Sequence, residues 1–74
     1  MGKFNYAVEK RIAVLSKNED RAESKELNLV TFNGKPAKYD IRTWRRDENG
    51  EKMLKGVTLD NEEMEALKAA IMEL

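Results

Sequence analysis

Apolar and polar residues alternate along four stretches of the chain, and alternation of this kind is typical of β-strands. The pattern predicts strands over residues 8–16, 25–32, 38–46 and 52–59. The segment 17–24 between the first two strands is charged and has no apolar rhythm, so it is predicted to be a loop. Four consecutive strands joined by short connections favour one antiparallel sheet.

Two turns separate the last three predicted strands. The first contains Asn33 and Gly34, residue types that tolerate the positive φ angles of tight hairpin turns. Pro36 has no backbone N–H to donate, so the third strand is predicted to begin after it. The second turn covers residues 47–50 and again ends in Asn-Gly.

The C-terminal segment predicts an amphipathic helix. Asp60 is a favourable N-cap, and Glu63 completes a capping box with it. Leu59 and Met64 occupy the two positions of a hydrophobic staple. The helix then repeats apolar residues at spacings of three and four, which form one stripe: Met64, Leu67, Ile71 and Leu74. The predicted fold class is α+β, a four-stranded antiparallel sheet with one helix on a face (ββββα).

Length and composition narrow the classes of function. A chain of 74 residues is expected to form a single domain over residues 1–74, and dimerisation is a common way to enlarge so small a core. The chain has no cysteine and no histidine. Disulfides are therefore excluded, and we expect neither a metal site, nor a cofactor, nor an enzymatic activity.

No apolar run is long enough to span a bilayer, and Met1-Gly2-Lys3 does not begin a signal-peptide pattern. We therefore expect no membrane partner and a cytoplasmic, nucleoid-associated protein.

The charges are balanced overall but unevenly distributed. The chain has 14 basic and 14 acidic residues. Residues 60–74 carry a net charge of −4 and the remaining residues a net charge of +4, with seven basic and four acidic residues between positions 35 and 55. The basic half thus coincides with the predicted sheet, which is the distribution expected of a nucleic-acid-binding surface.

The third strand carries the candidate chemistry. Its alternation places Tyr39 and Ile41 on one face. The opposite face combines cations with the only tryptophan: Lys38, Asp40, Arg42, Trp44 and Arg46. Such a face suits single-stranded nucleic acid, whose phosphates need cations and whose unpaired bases stack on aromatic rings. Trp44 is therefore expected to be exposed for stacking; the alternative is that it packs in the core.

Neighbouring residues extend or complicate this face. Phe32 either joins Trp44 as a second stacking ring or covers the end of the hairpin. Lys55 shares the parity of Val57, on the apolar side, unless a β-bulge at Gly56 turns it back. Asp40 opposes phosphate binding and is expected to pair with a neighbouring arginine and fix its direction.

Several of these motifs together resemble a known family. They are the run Tyr39-Asp40-Ile41-Arg42, the aromatic Trp44, a turn ending in Gly50, the run Lys55-Gly56-Val57-Thr58-Leu59 and a helix with an acidic start. The set resembles the DNA-binding domain of the transcriptional positive cofactor four (coactivator p15) family. Segments 12–16 and 25–30 resemble its bacterial, YdbC-like branch.

The resemblance implies a ββββα protomer that dimerises through its helices and sheet edges and prefers single-stranded DNA. Carried over by position, it implies contacts from Phe32, Lys35, Lys38, Arg42, Trp44 and Lys55; the face of the third strand adds Arg46. The eukaryotic coactivator has its key tryptophan three residues after the arginine, whereas Trp44 follows Arg42 by two, so Trp44 aligns with a neighbouring aromatic.

The sequence thus predicts a homodimeric single-stranded-DNA-binding protein with little sequence preference, acting in transcription regulation or in DNA repair or replication. Two alternatives stay open. One is a protein-interaction module that binds a transcription component, with RNA polymerase as a candidate partner. The other is a protein whose natural ligand is single-stranded RNA.

Overall fold

A computed structural model describes residues 5–74; the segment 1–3, considered above for a signal peptide, lies outside the described residues. The elements are β1 (Tyr6–Asn18), a 3₁₀ turn (Glu19–Arg21), β2 (Glu23–Phe32), β3 (Lys38–Asp47), β4 (Gly50–Leu59) and α1 (Asn61–Met72). The strands form one antiparallel sheet in the order β1-β2-β3-β4. The predicted ββββα architecture is confirmed.

Both predicted turns are present, and positive φ angles occur where their sequences allow them. Asn33 has φ 53° and Gly34 has φ 76°, and β3 begins after Pro36. In the second turn Asp47 pairs with Gly50, which has φ 114°, and the backbone N–H of Asn49 donates to Asp47 Oδ1 at 2.9 Å.

The loop predicted over residues 17–24 is wrong in extent. β1 continues to Asn18 and β2 begins at Glu23, so the connection is little more than the 3₁₀ turn. The Asn18 side chain accepts a hydrogen bond from the N–H of Arg21, and Ala22 takes a left-handed conformation with φ 55°. Backbone pairing continues through polar residues here because exposed strands need no apolar rhythm to satisfy their N–H and C=O groups.

The strict alternation expected in β1 is also wrong. Its pairing with β2 shifts register three times, between residues 8 and 10, 11 and 13, and 14 and 16. Each shift inserts an extra residue on β1, which bends the strand and increases its twist. As a result Arg11, rather than Lys10, lies opposite Asn28, and Val14, rather than Ile12, lies opposite Glu26.

The sheet curls strongly towards one face. Arg42 pairs in register with Glu26, and Phe32 lies six residues farther along β2, about 20 Å in an extended strand. Nevertheless the guanidinium carbon of Arg42 is 5.9 Å from the centre of the Phe32 ring. The hydroxyl of Tyr6 on edge strand β1 donates to Glu51 on the other edge strand at 2.8 Å. We call the enclosed side the concave face; β2 and β3 contribute Glu26, Asn28, Val30, Lys38, Asp40, Arg42, Trp44 and Arg46 to it.

Trp44 lies at the centre of this curl and is completely buried. The ring of Tyr6 lies 5.6 Å from that of Trp44, and the guanidinium of Arg46 lies 5.1 Å from it. The predicted exposure of Trp44 is therefore wrong, although its predicted parity with Arg42 and Arg46 is right. The error arises because that face is not an open platform: the curl brings β1 over it.

The helix begins as its sequence predicts. The N–H of Glu63 donates to Asp60 Oδ1 at 2.8 Å, and the N–H of Asp60 donates to Glu63 Oε1 at 2.9 Å, completing the capping box. The helix contacts β3 and β4 and buries Met64. Farther along the apolar stripe Ile71 and Leu74 are exposed.

Because Trp44 is a core residue, truncating it should destabilise the domain. We expect Trp44→Ala to lower the free energy of unfolding by about 3–5 kcal/mol, because removing a buried aromatic leaves a cavity. Trp44→Phe, which keeps a ring between Tyr6 and Arg46, should cost clearly less. Urea unfolding followed by circular dichroism measures both; an alanine variant as stable as the wild type would contradict the buried position.

Candidate nucleic-acid interface

Asp40 and Arg42 form a bidentate ion pair on the concave face. Arg42 Nε donates to Asp40 Oδ1 and Arg42 Nη2 donates to Asp40 Oδ2, both at 2.7 Å. Asp40 is completely buried, and its Oδ2 also accepts from the hydroxyl of Thr58 at 3.1 Å. The expectation that Asp40 pairs with a neighbouring arginine is confirmed, and the paired oxygens fix the plane of the guanidinium.

The backbone of β4 is shaped to receive Arg42. Arg42 Nη1 donates to the carbonyl oxygen of Leu54 at 3.1 Å, and Gly56 lies opposite Arg42 in the ladder. A Cβ on Gly56 would lie 2.0 Å from Arg42 Cβ and 2.6 Å from the carbonyl oxygen of Ile41. Glycine is therefore required here, because any side chain would displace the arginine or its strand.

A bulge occurs in β4 near the expected position but does not place Lys55 on the concave face. The ladder passes from Arg42 with Gly56 to Trp44 with Met53, so two residues of β4, Leu54 and Lys55, face one residue of β3. The alternation between Lys55 and Gly56 is unchanged, which leaves Lys55 exposed on the opposite side from Arg42, along an edge strand.

A second ion-pair network surrounds Arg46 and joins all four strands. Arg46 Nη1 and Nη2 donate to Glu26 at 2.6 and 3.1 Å, and Arg46 Nε donates to Glu51 at 2.7 Å. From β1, Tyr6 donates to Glu51, and Arg11 Nη1 lies 3.5 Å from Glu26 Oε1. Charge-assisted bonds between both edges and the centre of the sheet hold it in its curled form.

This network shifts the proton affinities of its members. Hydrogen bonds from Arg46 lower the pKa of the Glu26 carboxyl to about 2, outweighing the opposing effect of burial. Hydrogen bonds from Arg46 and Tyr6 likewise lower the pKa of Glu51. Burial, followed by the hydrogen bond to Glu51, raises the pKa of the Tyr6 hydroxyl. At neutral pH Glu26 and Glu51 are therefore ionised and Tyr6 keeps its proton.

The structure brings four of the predicted contact residues together around the β2–β3 turn. Phe32 is half-buried and lies against Arg42, whose side chain is 16% exposed. The backbone N–H of Lys35 donates to the carbonyl of Phe32, and Lys38 pairs with Val30 at the start of β3. Both lysines are exposed. The other three predicted contacts lie elsewhere: Trp44 in the core, Arg46 in the ion-pair network and Lys55 on the opposite side of the sheet.

Five further groups complete the concave face and were not predicted from the sequence: Tyr6, Arg11, Glu26, Glu51 and Thr58. A two-residue turn at Asn33-Gly34 would place Glu26 opposite Ile41, whereas the observed register is shifted by one residue and pairs Glu26 with Arg42. No comparable signal exists for Tyr6 and Arg11, because three bulges in β1 determine their placement.

A groove of about 620 Å³ lies at the far end of the concave face, along β1, the 3₁₀ turn and β2. Its lining mixes cations with acids and includes Arg11, Lys17, Glu23 and Glu26. Among residues 5–74, no helix is long and apolar enough to cross a membrane, and no group of three or more potential metal-ligating side chains occurs.

Comparison with known proteins identifies the family of the chain. The model of the transcriptional coactivator p15 (PC4) family matches residues 20–70, from the 3₁₀ turn into the helix. The chain belongs to this family. Its members carry a single-stranded-DNA-binding domain, so the match supports nucleic-acid binding. The chain is also 43% identical over 65 residues to an uncharacterized protein of Treponema pallidum (strain Nichols). The aligned region covers 88% of this chain and 73% of that protein. The family resemblance is confirmed, and the narrower YdbC-like assignment stays a prediction.

The low pKa of Glu26 predicts a loss of stability in acid. Since the folded pKa of about 2 lies below the ordinary value of 4.5, the ion pair stabilises the fold above about pH 5 and ceases to do so as the pH falls towards 2. The loss should be on the order of 3 kcal/mol. Urea unfolding at pH 7, 4 and 3 follows it, and about 2 kcal/mol of the loss should be present at pH 3.

Glu26→Gln should be less stable at pH 7 and should depend less on pH, whereas Glu48→Gln, in the exposed β3–β4 turn, should follow the wild type. Equal acid sensitivity in the wild type and in Glu26→Gln would contradict the assignment of the effect to Glu26.

Proposed function

We propose that the protein is a homodimeric single-stranded-DNA-binding protein with little sequence preference, serving transcription regulation or DNA repair and replication. The observation that carries this proposal is the surface around the β2–β3 turn, formed by Phe32, Lys35, Lys38 and Arg42, in a chain of the coactivator family. It combines an aromatic ring, a flat guanidinium and exposed ammonium groups, which are the elements that bind bases and phosphates of single strands. We call these four residues the turn surface.

The residues of the turn surface divide into two kinds. Phe32 and Arg42 offer planar groups to bases, and Lys35 and Lys38 offer charge to phosphates. Lys55, exposed on edge strand β4, extends the positive charge along the rim. We assign Arg46 to holding the sheet curled and Trp44 to the core, so neither is part of the proposed contact surface.

The uncovered part of the helix supports dimerisation. Ile71 and Leu74 of the apolar stripe are 54% and 102% exposed, and Val57 on β4 is 51% exposed. An amphipathic stripe usually packs against another element, and a domain this small has little core of its own. A second copy of the chain is the occupant we propose for this stripe.

A second candidate function rests on edge strand β1. Val14 and Leu15 are 55% and 54% exposed there, and exposed apolar groups on an unpaired edge favour contact with another protein. In that case the partner would be a transcription component such as RNA polymerase. Single-stranded RNA is the remaining alternative ligand.

Fluorescence anisotropy of a labelled dT oligonucleotide of about 20 nucleotides tests DNA binding, on the scale of one or two site sizes. We expect saturable binding that the matching duplex does not show, and an affinity that falls with salt. Lys35→Gln and Lys38→Gln should each reduce the slope of log K against log salt by about 0.7, because each removes one phosphate contact.

Lys68→Gln, on the helix, is the matched control and should bind as the wild type does. Binding of the duplex with the same affinity as the dT strand would exclude this function. So would the absence of binding to either oligonucleotide at low salt. A tighter complex with a U oligonucleotide of the same length would make RNA the ligand, and protein partners that survive nuclease treatment would favour the second candidate.

Sedimentation equilibrium tests the proposed dimer. Ile71→Glu introduces a charge into the uncovered stripe and should shift the protein towards monomer by at least about tenfold in dissociation constant, because an ion would be buried without a partner. Ala69→Glu, at a helix position off the stripe, should leave the dimer intact. A wild-type monomer at micromolar concentration would be the contrary result.

A further inference from the structure

The charge of Arg42 is neutralised within the protein. Both oxygens of Asp40 lie 2.7 Å from guanidinium nitrogens, and the carboxylate is completely buried. The pair has no net charge, so beyond its own length its field is much weaker than that of a lone cation. Arg42 therefore adds almost no net charge to the concave face, unlike the exposed Lys35 and Lys38.

Because the charge of Arg42 is paired, a ligand would contact the flat face of its guanidinium rather than an unpaired cation. Within residues 5–74, three of its five N–H groups are engaged, two by Asp40 and one by the carbonyl of Leu54. Its carbon lies 5.9 Å from the centre of the Phe32 ring. Gly56, opposite Arg42 in the ladder, carries no side chain that could displace it. Guanidinium planes and aromatic rings are both surfaces on which unpaired bases stack.

We propose that Asp40 is a positioning residue of the nucleic-acid interface. It holds Arg42 as a flat, charge-neutral surface beside Phe32 that contacts bases, while Lys35 and Lys38 supply the net charge that attracts phosphates. This inference rests on the proposed binding of single strands and adds to it a division of labour between two kinds of cation.

The alternative is that Arg42 contacts a phosphate as an ordinary cation, and the two roles predict opposite effects of Asp40→Asn. If Arg42 binds phosphate, removing the carboxylate frees its charge, so affinity should rise and depend more steeply on salt. If Asp40 instead holds the guanidinium plane of Arg42 in position, Asp40→Asn adds positive charge but allows that plane to move. In that case affinity for a dT strand should fall about fivefold or more.

A strand without bases separates positioning from general disruption. The dT oligonucleotide is compared with an abasic oligonucleotide of the same length, at two salt concentrations, for the wild type and Asp40→Asn. We expect the variant to lose affinity for the dT strand and to retain its affinity for the abasic strand within about twofold. A variant that is merely misfolded would lose both, and circular dichroism checks the fold.

Arg42→Lys provides the second test, because Asp40 is buried and its replacement can unfold the domain. Lysine keeps the charge and loses the plane and the bidentate geometry. We expect a loss of about tenfold on the dT strand, little change on the abasic strand and an unchanged salt slope. Lys35→Gln is the matched contrast, with equal losses on both strands and a shallower slope.

The outcomes distinguish this inference from the proposed function. Suppose that the wild type binds and that Arg42→Lys either binds equally well or loses the same affinity for the dT and the abasic strands. Either result would overturn the positioning role and leave single-strand binding in place. Tighter binding by Asp40→Asn would do the same. A wild type that binds neither strand would overturn both proposals together.

Discussion

Two carboxylates that are almost inaccessible to solvent, Asp40 and Glu26, determine how the concave face is built. They are 0% and 5% exposed, and each is bound by an arginine of β3. Burying an unpaired charge is costly. Each carboxylate and its arginine therefore hold each other in place. Because the Arg46 network also includes Tyr6 and Glu51 of the two edge strands, the same pairing holds the sheet in its curled form.

This arrangement explains how a chain with no net charge can present a surface for nucleic acid. The arginines of the concave face are neutralised locally, and the acids of the helix lie on a different element. The exposed lysines at the β2–β3 turn therefore stand out against a nearly neutral background. Local charge rather than total charge decides whether a phosphate is attracted, since opposite charges more than a Debye length apart are screened from each other.

The curvature of the sheet explains why the binding face expected from the sequence differs from the face in the structure. The parity of β3 correctly placed Trp44 with Arg42 and Arg46, and a flat sheet with that parity would have exposed the indole. Three bulges in β1 bend the hairpin, so that Tyr6 covers Trp44. An aromatic ring that the sequence suggested for stacking is thus the centre of the core, and the stacking surface that we propose is formed by Phe32 and Arg42 instead.

The sequence by itself determined the elements of this protein and their order. Each of these elements is indicated by residues that are close together in the chain. They are the hairpin turns at Asn33-Gly34 and Asn49-Gly50, the capping box of Asp60 with Glu63 and the apolar spacing of the helix. Even the Asp40–Arg42 pair belongs to this class, because its members are neighbours on one face of one strand. Only the tertiary structure decided that Trp44 is buried, that Arg46 binds Glu26 and Glu51, and that Lys55 stays off the concave face. Those outcomes depend on bulge positions and on the curl of the whole sheet, which bring together residues far apart in the chain and leave no periodic trace in the sequence.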